Sequence, residues 1–240
     1  ALFNTPVWVN VGVSTPKHTV PRVLAFPSKR GGVNGTYRYR APNVGPQASA
    51  CFIQGVTDTM EGLCELQTTE TQLFRRSSGT GSNMSPLRPA NSPLSGGGTS
   101  SGPVSFMRGL DGWAGVTKSG GSARRAAVMR VLDVYHPDIH EFINVKSLAQ
   151  KAIRDLGLQG WDVNYNGIAT TWMPYQNANN SVRVDDAFMV AAAAGDEITP
   201  HWPTQWDGRV NKAEIVSDRE SASSLLREIA TAAHDCGDPG

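Results

Sequence analysis

Short apolar runs of strand length alternate with amphipathic stretches of helical period along this 240-residue chain, and glycine-rich segments join them. That alternation restricts the fold more than any other feature. A strand that returns beside an earlier one through a helix builds a parallel sheet with helices packed against it, an α/β architecture. Residues 6–11 and 48–54 read as short strands, separated at 14–46 by a surface excursion rich in Pro, Gly and basic residues. Residues 58–74 read as a helix: Asp58 and Glu61 have capping-box spacing, and Leu63, Leu66 and Leu73 lie near one face. The stretch at 77–102 is dominated by Gly, Ser, Pro and Asn, but Met84, Leu87, Arg88 and Leu94 within it favour ordered loops over a linker. A helix at 104–116, a second glycine-rich loop at 117–126 and a buried strand at 127–134 carrying Arg130 come next.

After His136-Pro137-Asp138 follows a long helix with Ile139, Phe142, Ile143, Ile153 and Leu156 inward and a stop at Gly157. Strands are predicted at 163–169 and 181–184. Asp185 caps a helix through Ala194 that Gly195 ends, and Ser217 with Glu220 forms a capping box for a last helix. Leu225, Leu226, Ile229, Ala230 and Ala233 are its predicted inner face. No internal repeat is present, and the length allows one large domain or two small ones.

Bulk composition narrows the partners. A formal net charge of +1 makes no electrostatic case for nucleic acid or a membrane surface. No run approaches the roughly 18–20 apolar residues that cross a bilayer, and residues 1–12 lack the pattern of a signal peptide. The chain begins in mid-pattern without an initiator Met, so upstream sequence is expected. Cys51, Cys64 and Cys236 are too few and too far apart for a disulfide framework or a zinc site, and a reducing cytoplasm is the expected compartment. Of the five histidines only His136 and His140 stand four residues apart; His136 reads as a helix-start residue, and no metal site is proposed.

The glycine-rich loops are the first candidates for chemistry. Backbone N–H groups at such turns accept anions, and nearby Arg or Lys adds charge. Ser78-Gly79-Thr80-Gly81-Ser82 lacks the Gly-Lys-Ser/Thr of a P-loop, and Arg124–Arg125 reads equally as a solvated basic pair. On residue type alone Cys51 is a small core hydrophobe, Cys64 sits on the inward side of its helix, and Cys236 closes a helix.

Several motifs go beyond these generic readings. Asn4-Thr5-Pro6-Val7-Trp8, Pro46-Gln47-Ala48-Ser49-Ala50-Cys51-Phe52-Ile53-Gln54, Gly79-Thr80-Gly81-Ser82-Asn83 and Pro86-Leu87-Arg88 occur in that order. Leu94-Ser95-Gly96-Gly97-Gly98, Gly102-Pro103-Val104-Ser105-Phe106-Met107, Lys118-Ser119-Gly120-Gly121 and Arg124-Arg125-Ala126-Ala127 follow. His136-Pro137-Asp138-Ile139, then the run from Tyr175 to Val184, then Cys236-Gly237-Asp238-Pro239-Gly240 complete the set. In order and spacing, over nearly the whole chain, they resemble the vitamin B12-dependent (class II) ribonucleotide reductases.

The resemblance implies the amino-terminal part of a ten-stranded α/β barrel of the ribonucleotide reductase and glycyl-radical type. It implies reduction of ribonucleotides to 2′-deoxyribonucleotides by thiyl-radical chemistry that starts from adenosylcobalamin. Cys51 would be one of the two reducing thiols; thiols suit the task because they can be oxidised to a disulfide and recycled by exchange. Thr5, Ala50, Cys51 and Gly79 would line the substrate. Asp58, Thr59 and Met60, with Arg88, Lys118, Arg124 and Arg125, would bind a deoxynucleoside triphosphate effector. Residues 169–180, with Gln176, Asn177, Asn179 and Asn180, would form the specificity loop, whose amides offer donors and acceptors to a base edge. A homodimer and a thioredoxin-like reductant are also implied. The 14–46 excursion resembles larger dimeric members and favours diphosphate substrates.

The family's Asn-Pro-Cys-x-Glu radical motif is absent from this sequence, as is the second reducing cysteine beyond it. Neither Cys64 nor Cys236 stands in those motifs. The isolated chain is therefore expected to be inactive. A fragment of a complete reductase is the leading reading. A split enzyme and a nucleotide-binding protein that keeps only the effector surface are the alternatives.

Overall fold

The computed structural model describes residues 49–240 except 77, 95, 118–125, 203–213 and 216. The predicted strand at 6–11, the 14–46 excursion, Thr5, Lys118, Arg124 and Arg125 lie outside the described residues. Four parallel strands stand at the centre in the order β1 (Cys51–Gln54), β2 (Gly79–Asn83), β3 (Val128–Asp133) and β4 (Ala178–Arg183). Helices α1 (Met60–Arg75) and α2 (Gly102–Val116) make the first two crossovers, and α3 (Ile139–Leu158) with the short α4 (Ile168–Trp172) makes the third. Beyond β4 come α5 (Asp186–Ala194), four two-residue strands β5 (Glu197–Ile198), β6 (His201–Trp202), β7 (Glu214–Ile215) and β8 (Glu220–Ser221), and α6 (Ala222–Cys236). The chain then returns to the sheet: Gly240 donates to Asn180 O and its carbonyl accepts from Val182 N.

The two faces of the sheet differ sharply. One face carries Phe52, Thr80, Val128 and Ala178, then Gln54, Ser82, Arg130 and Asn180, all buried, with α1, α2 and α3 packed against the sheet. The other carries Cys51 beside Gly79, and Ile53, Gly81, Met129 and Asn179 in one register row; Ile53 is 64% and Met129 44% exposed. Period-two alternation thus leaves an open face beside a covered one.

The covered face holds an ion pair. Arg130 donates to both oxygens of Glu70 at 2.5 and 2.8 Å, and also to Ser82 Oγ; Thr80 Oγ1 donates to Glu70 at 3.2 Å. With Arg130 1% and Glu70 2% exposed, neither charge has water to fall back on. Removing one partner strands the other.

Several sequence expectations need correction. Thr59, not Asp58, caps α1: its side chain accepts from Gly62 N at 3.0 Å, while Asp58 is engaged by Arg88. Cys64 is exposed, because it sits one residue off the Leu63, Leu66, Glu70 and Leu73 stripe. Residues 79–83, read as loop, form β2. Its small residues allow close approach: a Cβ on Gly79 would meet Ala127 O at 3.1 Å. Gly157 does not stop α3 but lets Val163 pack against it, and the left-handed turn falls at Gly160. The strand expected at 163–169 is absent; a turn closed by Gly167 N to Asn164 O leads into α4 instead. Ser221 rather than Ser217 caps α6, and Ala230 is exposed while Ala222, Leu225 and Ala232 are buried. Asp185 and Gly195 bound α5 as expected.

Two histidines show opposite environments. His136 is fully buried; its Nε2–H donates to Leu87 O and its Nδ1 accepts from Asp138 N, which fits the neutral ring that burial favours by pushing its pKa down. His140 is half-exposed and presents Nδ1 to Glu228 at 2.7 Å and Nε2 to Glu220 at 2.8 Å. Burial pulls its pKa down, but the hydrogen bond to Glu228 and the charges of both carboxylates outweigh this and hold it above 6.5.

Two outcomes follow. Arg130→Leu lowers stability by about 3–5 kcal/mol, whereas the double change Glu70→Gln, Arg130→Met recovers most of the loss, as read by urea unfolding. Because the His140 pKa is raised on folding, its contribution is complete below pH 6.5 and is lost as pH rises through the folded value. His140→Gln should flatten that part of the pH–stability profile.

Candidate functional site

Cys51 opens β1 and points to the open face, so its thiol is exposed and not sealed in a core. Its register partner is Gly79, and a Cβ built there would lie 3.5 Å from Cys51 Sγ. Gly79 N donates to Ala50 O at 2.7 Å. The structure therefore brings together Ala50, Cys51 and Gly79, three of the four residues expected around the substrate; the fourth, Thr5, is outside the described residues. The missing side chain at 79 clears the space over the thiol.

A second cluster follows the carboxyl end of β1. Asp58 accepts from Arg88 N at 3.1 Å and from Arg88 Nε at 2.6 Å, Thr59 caps α1, and Met60 is exposed at its first turn. The expected effector residues Asp58, Thr59, Met60 and Arg88 are thus neighbours. The Asp58 carboxylate is already occupied by Arg88, so a ligand hydroxyl would have to share it.

The third group divides. Gln176 and Asn177 donate their backbone N–H groups to the carboxylate of Asp111 on α2 at 3.2 and 2.9 Å. Asn179 lies exposed on the open face in register with Met129. Asn180 is 2% exposed on the covered face, and neither side-chain polar atom has a partner among the described residues. A base on the open face could therefore meet Asn179 but not Asn180. Residues 169–180 are also not one loop: α4 begins at Ile168 and β4 begins at Ala178.

Asp111 was missed from the sequence, and Tyr175 was read there only as part of the 175–184 motif and the 169–180 loop, with no role of its own. Tyr175 has φ +63° and its hydroxyl donates to Val104 O at 3.2 Å. Burial, then the charge of Glu141, push its pKa up, which keeps that hydroxyl a donor. A signal for Asp111 existed: it shares the buried helical stripe of Val104, Met107 and Ala114, where a carboxylate needs partners.

The arrangement of strands and helices is shared by known proteins. The class Id ribonucleotide reductase alpha subunit of Actinobacillus ureae matches with TM-score 0.51 at 16% identity, over 79% of this chain and 26% of that one. That likeness defines the fold. The family model "Ribonucleotide reductase, barrel domain" matches residues 49–240, and the chain belongs to that family.

Among similar sequences is the vitamin B12-dependent ribonucleotide reductase of Rhodopirellula baltica, 42% identical over 99% of this chain and 22% of the relative. The protein of the same name from Streptomyces avermitilis is 40% identical over 99% of this chain and 21% of its own length. The vitamin B12-dependent ribonucleoside-diphosphate reductase of Mycobacterium tuberculosis is 34% identical over 80% and 23%. The resemblance read from the motifs is borne out, and so is the expectation of part of an α/β barrel. The chain spans about a fifth of the length of the first two of these relatives. No described helix is long and apolar enough to cross a membrane.

Thiol accessibility gives a direct check. Cys51 and Cys64 should react with iodoacetamide faster than the half-buried Cys236, whose Sγ contacts Ala232 O and Asp238 O. Gly79→Ala should slow Cys51 alone, as read by mass spectrometry.

Proposed function

We propose that this chain forms the amino-terminal part of the catalytic barrel of an adenosylcobalamin-dependent ribonucleoside-diphosphate reductase and contributes one of its two reducing thiols, Cys51. The observation that carries the reading is an exposed thiol at the head of a barrel strand, with a glycine beside it that leaves room for a sugar. In the overall step two thiols become one disulfide, the ribose C2′–O bond is replaced by C–H, and the oxygen leaves as water. The second thiol and the radical-forming cysteine are expected beyond these residues, since the radical motif does not occur in the 240. Bound to the full-length protein, adenosylcobalamin would supply the radical that starts the reaction. The described residues do not make up a corrin site: a macrocycle needs an extended bed to lie on, and the open face offers one thiol, Ile53, Met129 and Asn179.

The Asp58, Thr59, Met60 and Arg88 cluster is the proposed place for the ribose and phosphates of a deoxynucleoside triphosphate effector, with Lys118, Arg124 and Arg125 as further cations. Residues 169–180, read as the specificity loop, would sense that effector and present Asn179 to the substrate base. A homodimer, a thioredoxin-like reductant and a cytoplasmic location complete the proposal.

The test is anaerobic turnover of ribonucleoside diphosphates by the full-length protein with adenosylcobalamin and a dithiol. Cys51→Ser is expected to reduce product to background, and the 240-residue chain alone is expected to make none. Full turnover by Cys51→Ser would overturn the assignment.

A further inference from the structure

The seam between α3 and α6 is held by different chemistry at its two ends. At the carboxyl end of α6 the contacts come from side chains that stay charged across the neutral range. Arg154 Nη2 donates to Asp235 O at 2.9 Å, and Lys146 pairs with Asp238, which also accepts from Asn180 N. Gly240 then bonds to Asn180 and Val182 of β4. At the amino end of α6 the seam closes on one titrating side chain. His140, in the first turn of α3, sets Nδ1 2.7 Å from Glu228 of α6 and Nε2 2.8 Å from Glu220 of β8. Asn144, one turn on, donates to the other oxygen of Glu228.

Ionised carboxylates accept and cannot donate. A neutral imidazole has one N–H, so it would leave a bare ring nitrogen facing a carboxylate; imidazolium satisfies both partners. Burial pulls the ring towards neutrality, but Glu228 and Glu220 outweigh it. The ionisable groups brought against this end of α3 are Glu220 of β8 and Glu228 of α6, with Arg227 lining the groove beside Glu228. Asp138 and Glu141 stand near it on α3 itself, α4 carries none, and Arg130 and Asp133 of β3 are paired with Glu70 and with Arg183 of β4. At the amino terminus of α3 the helix dipole opposes a positive charge, so the proton depends on the two carboxylates. Along the seam runs a polar groove of about 350 Å³, lined by Asn144 and Ser147 on α3 and by Ser224, Arg227 and Thr231 on α6. Widening it there exposes little apolar surface.

We propose that His140 is a protonation-dependent latch: as imidazolium it fastens β8 and the first turns of α6 to α3, and on losing the proton it releases them while residues 235–240 stay anchored. The opening is local. Glu220 and Ser221 pair with β5, and Ala222 N donates to Asp196 O, so residues 196–198 loosen with β8. Leu225 and Ala232 remain in the core, so α6 frays from its amino end and keeps its place.

The test uses the full-length protein. Hydrogen-exchange protection, corrected for the intrinsic rate, is read for peptides over 219–229 and 235–240 at about pH 5.5 and about pH 9, on either side of the histidine range. In the wild type the 219–229 peptide is expected to lose roughly fivefold in protection at the higher pH, the scale of two partly exposed ion pairs, while 235–240 is unchanged. His140→Gln, which carries no charge, is expected to give the low value at both pH values. His140→Arg, which keeps its charge and several donors, is expected to give the high value at both. Both substitutions are at a half-exposed position, so the fold tolerates them. Equal wild-type protection at the two pH values would overturn the latch, as would the same fall in His140→Gln. A fall shared equally by 235–240 would overturn it too, since the loss would then be global.

Discussion

Arg130 lies on the covered face in the middle of β3, and its ion pair with Glu70 ties the sheet to α1. The pair joins β3 to α1 across the covered face, with Ser82 and Thr80 of β2 supplying the remaining contacts. A one-residue slip of β3 would expose Arg130 and bury Met129 in its place. An unpaired guanidinium or carboxylate beneath the helices costs far more than a misplaced apolar group, so the ion pair excludes that slip. Hydrophobic burial favours many registers; the charge pair selects among them. Since β1 takes its register from β2, the direction of Cys51 and the place of Gly79 beside it follow from the same contact.

A recurring device holds the connections. Asp58 accepts from the backbone N–H of Arg88, Asp138 from Ala90, Asp111 from Gln176 and Asn177, and Asp238 from Asn180. The first three carboxylates satisfy loop donors that no sheet or helix ladder reaches, and Asp238 satisfies Asn180 N on the outer side of β4. Lys146 balances Asp238 and Arg88 balances Asp58, while Asp111 works by N–H donors. The result is long connections of fixed shape. A site made from the ends of several strands depends on such connections, because no strand by itself brings Cys51, Asp58 and Asn179 into a common geometry.

Much of this was legible in the residues. The alternation of strand and helix, the cap at Asp185, the αL stop at Gly195 and the existence of β3 were read from local pattern, because caps, stops and periodicity are local physics; its expected full burial was not met, since Met129 is 44% exposed. The family resemblance singled out Ala50, Cys51 and Gly79 together, and they are together. β2 was not legible: Gly79, Gly81 and Ser82 carry no strand propensity and become a strand only because β1 and β3 supply partners on both sides. Cys64 and Ala230 failed for a related reason, since an approximate helical face does not say which residue at its margin is covered.

The amino-acid sequence by itself determined the order of elements, the parallel α/β class, the family, and the absence of a radical-cysteine motif from these 240 residues, because all of these are carried by residue identity and spacing along the chain. Only the tertiary structure decided which face of the sheet stays open. It turned Cys51 outward and Asn180 inward, gave the carboxylate of Asp58 to Arg88, and set Asp111 under residues 176 and 177. These outcomes depend on which distant groups meet when the strands pair, and pairing partners lie tens of residues apart, beyond the reach of any local pattern.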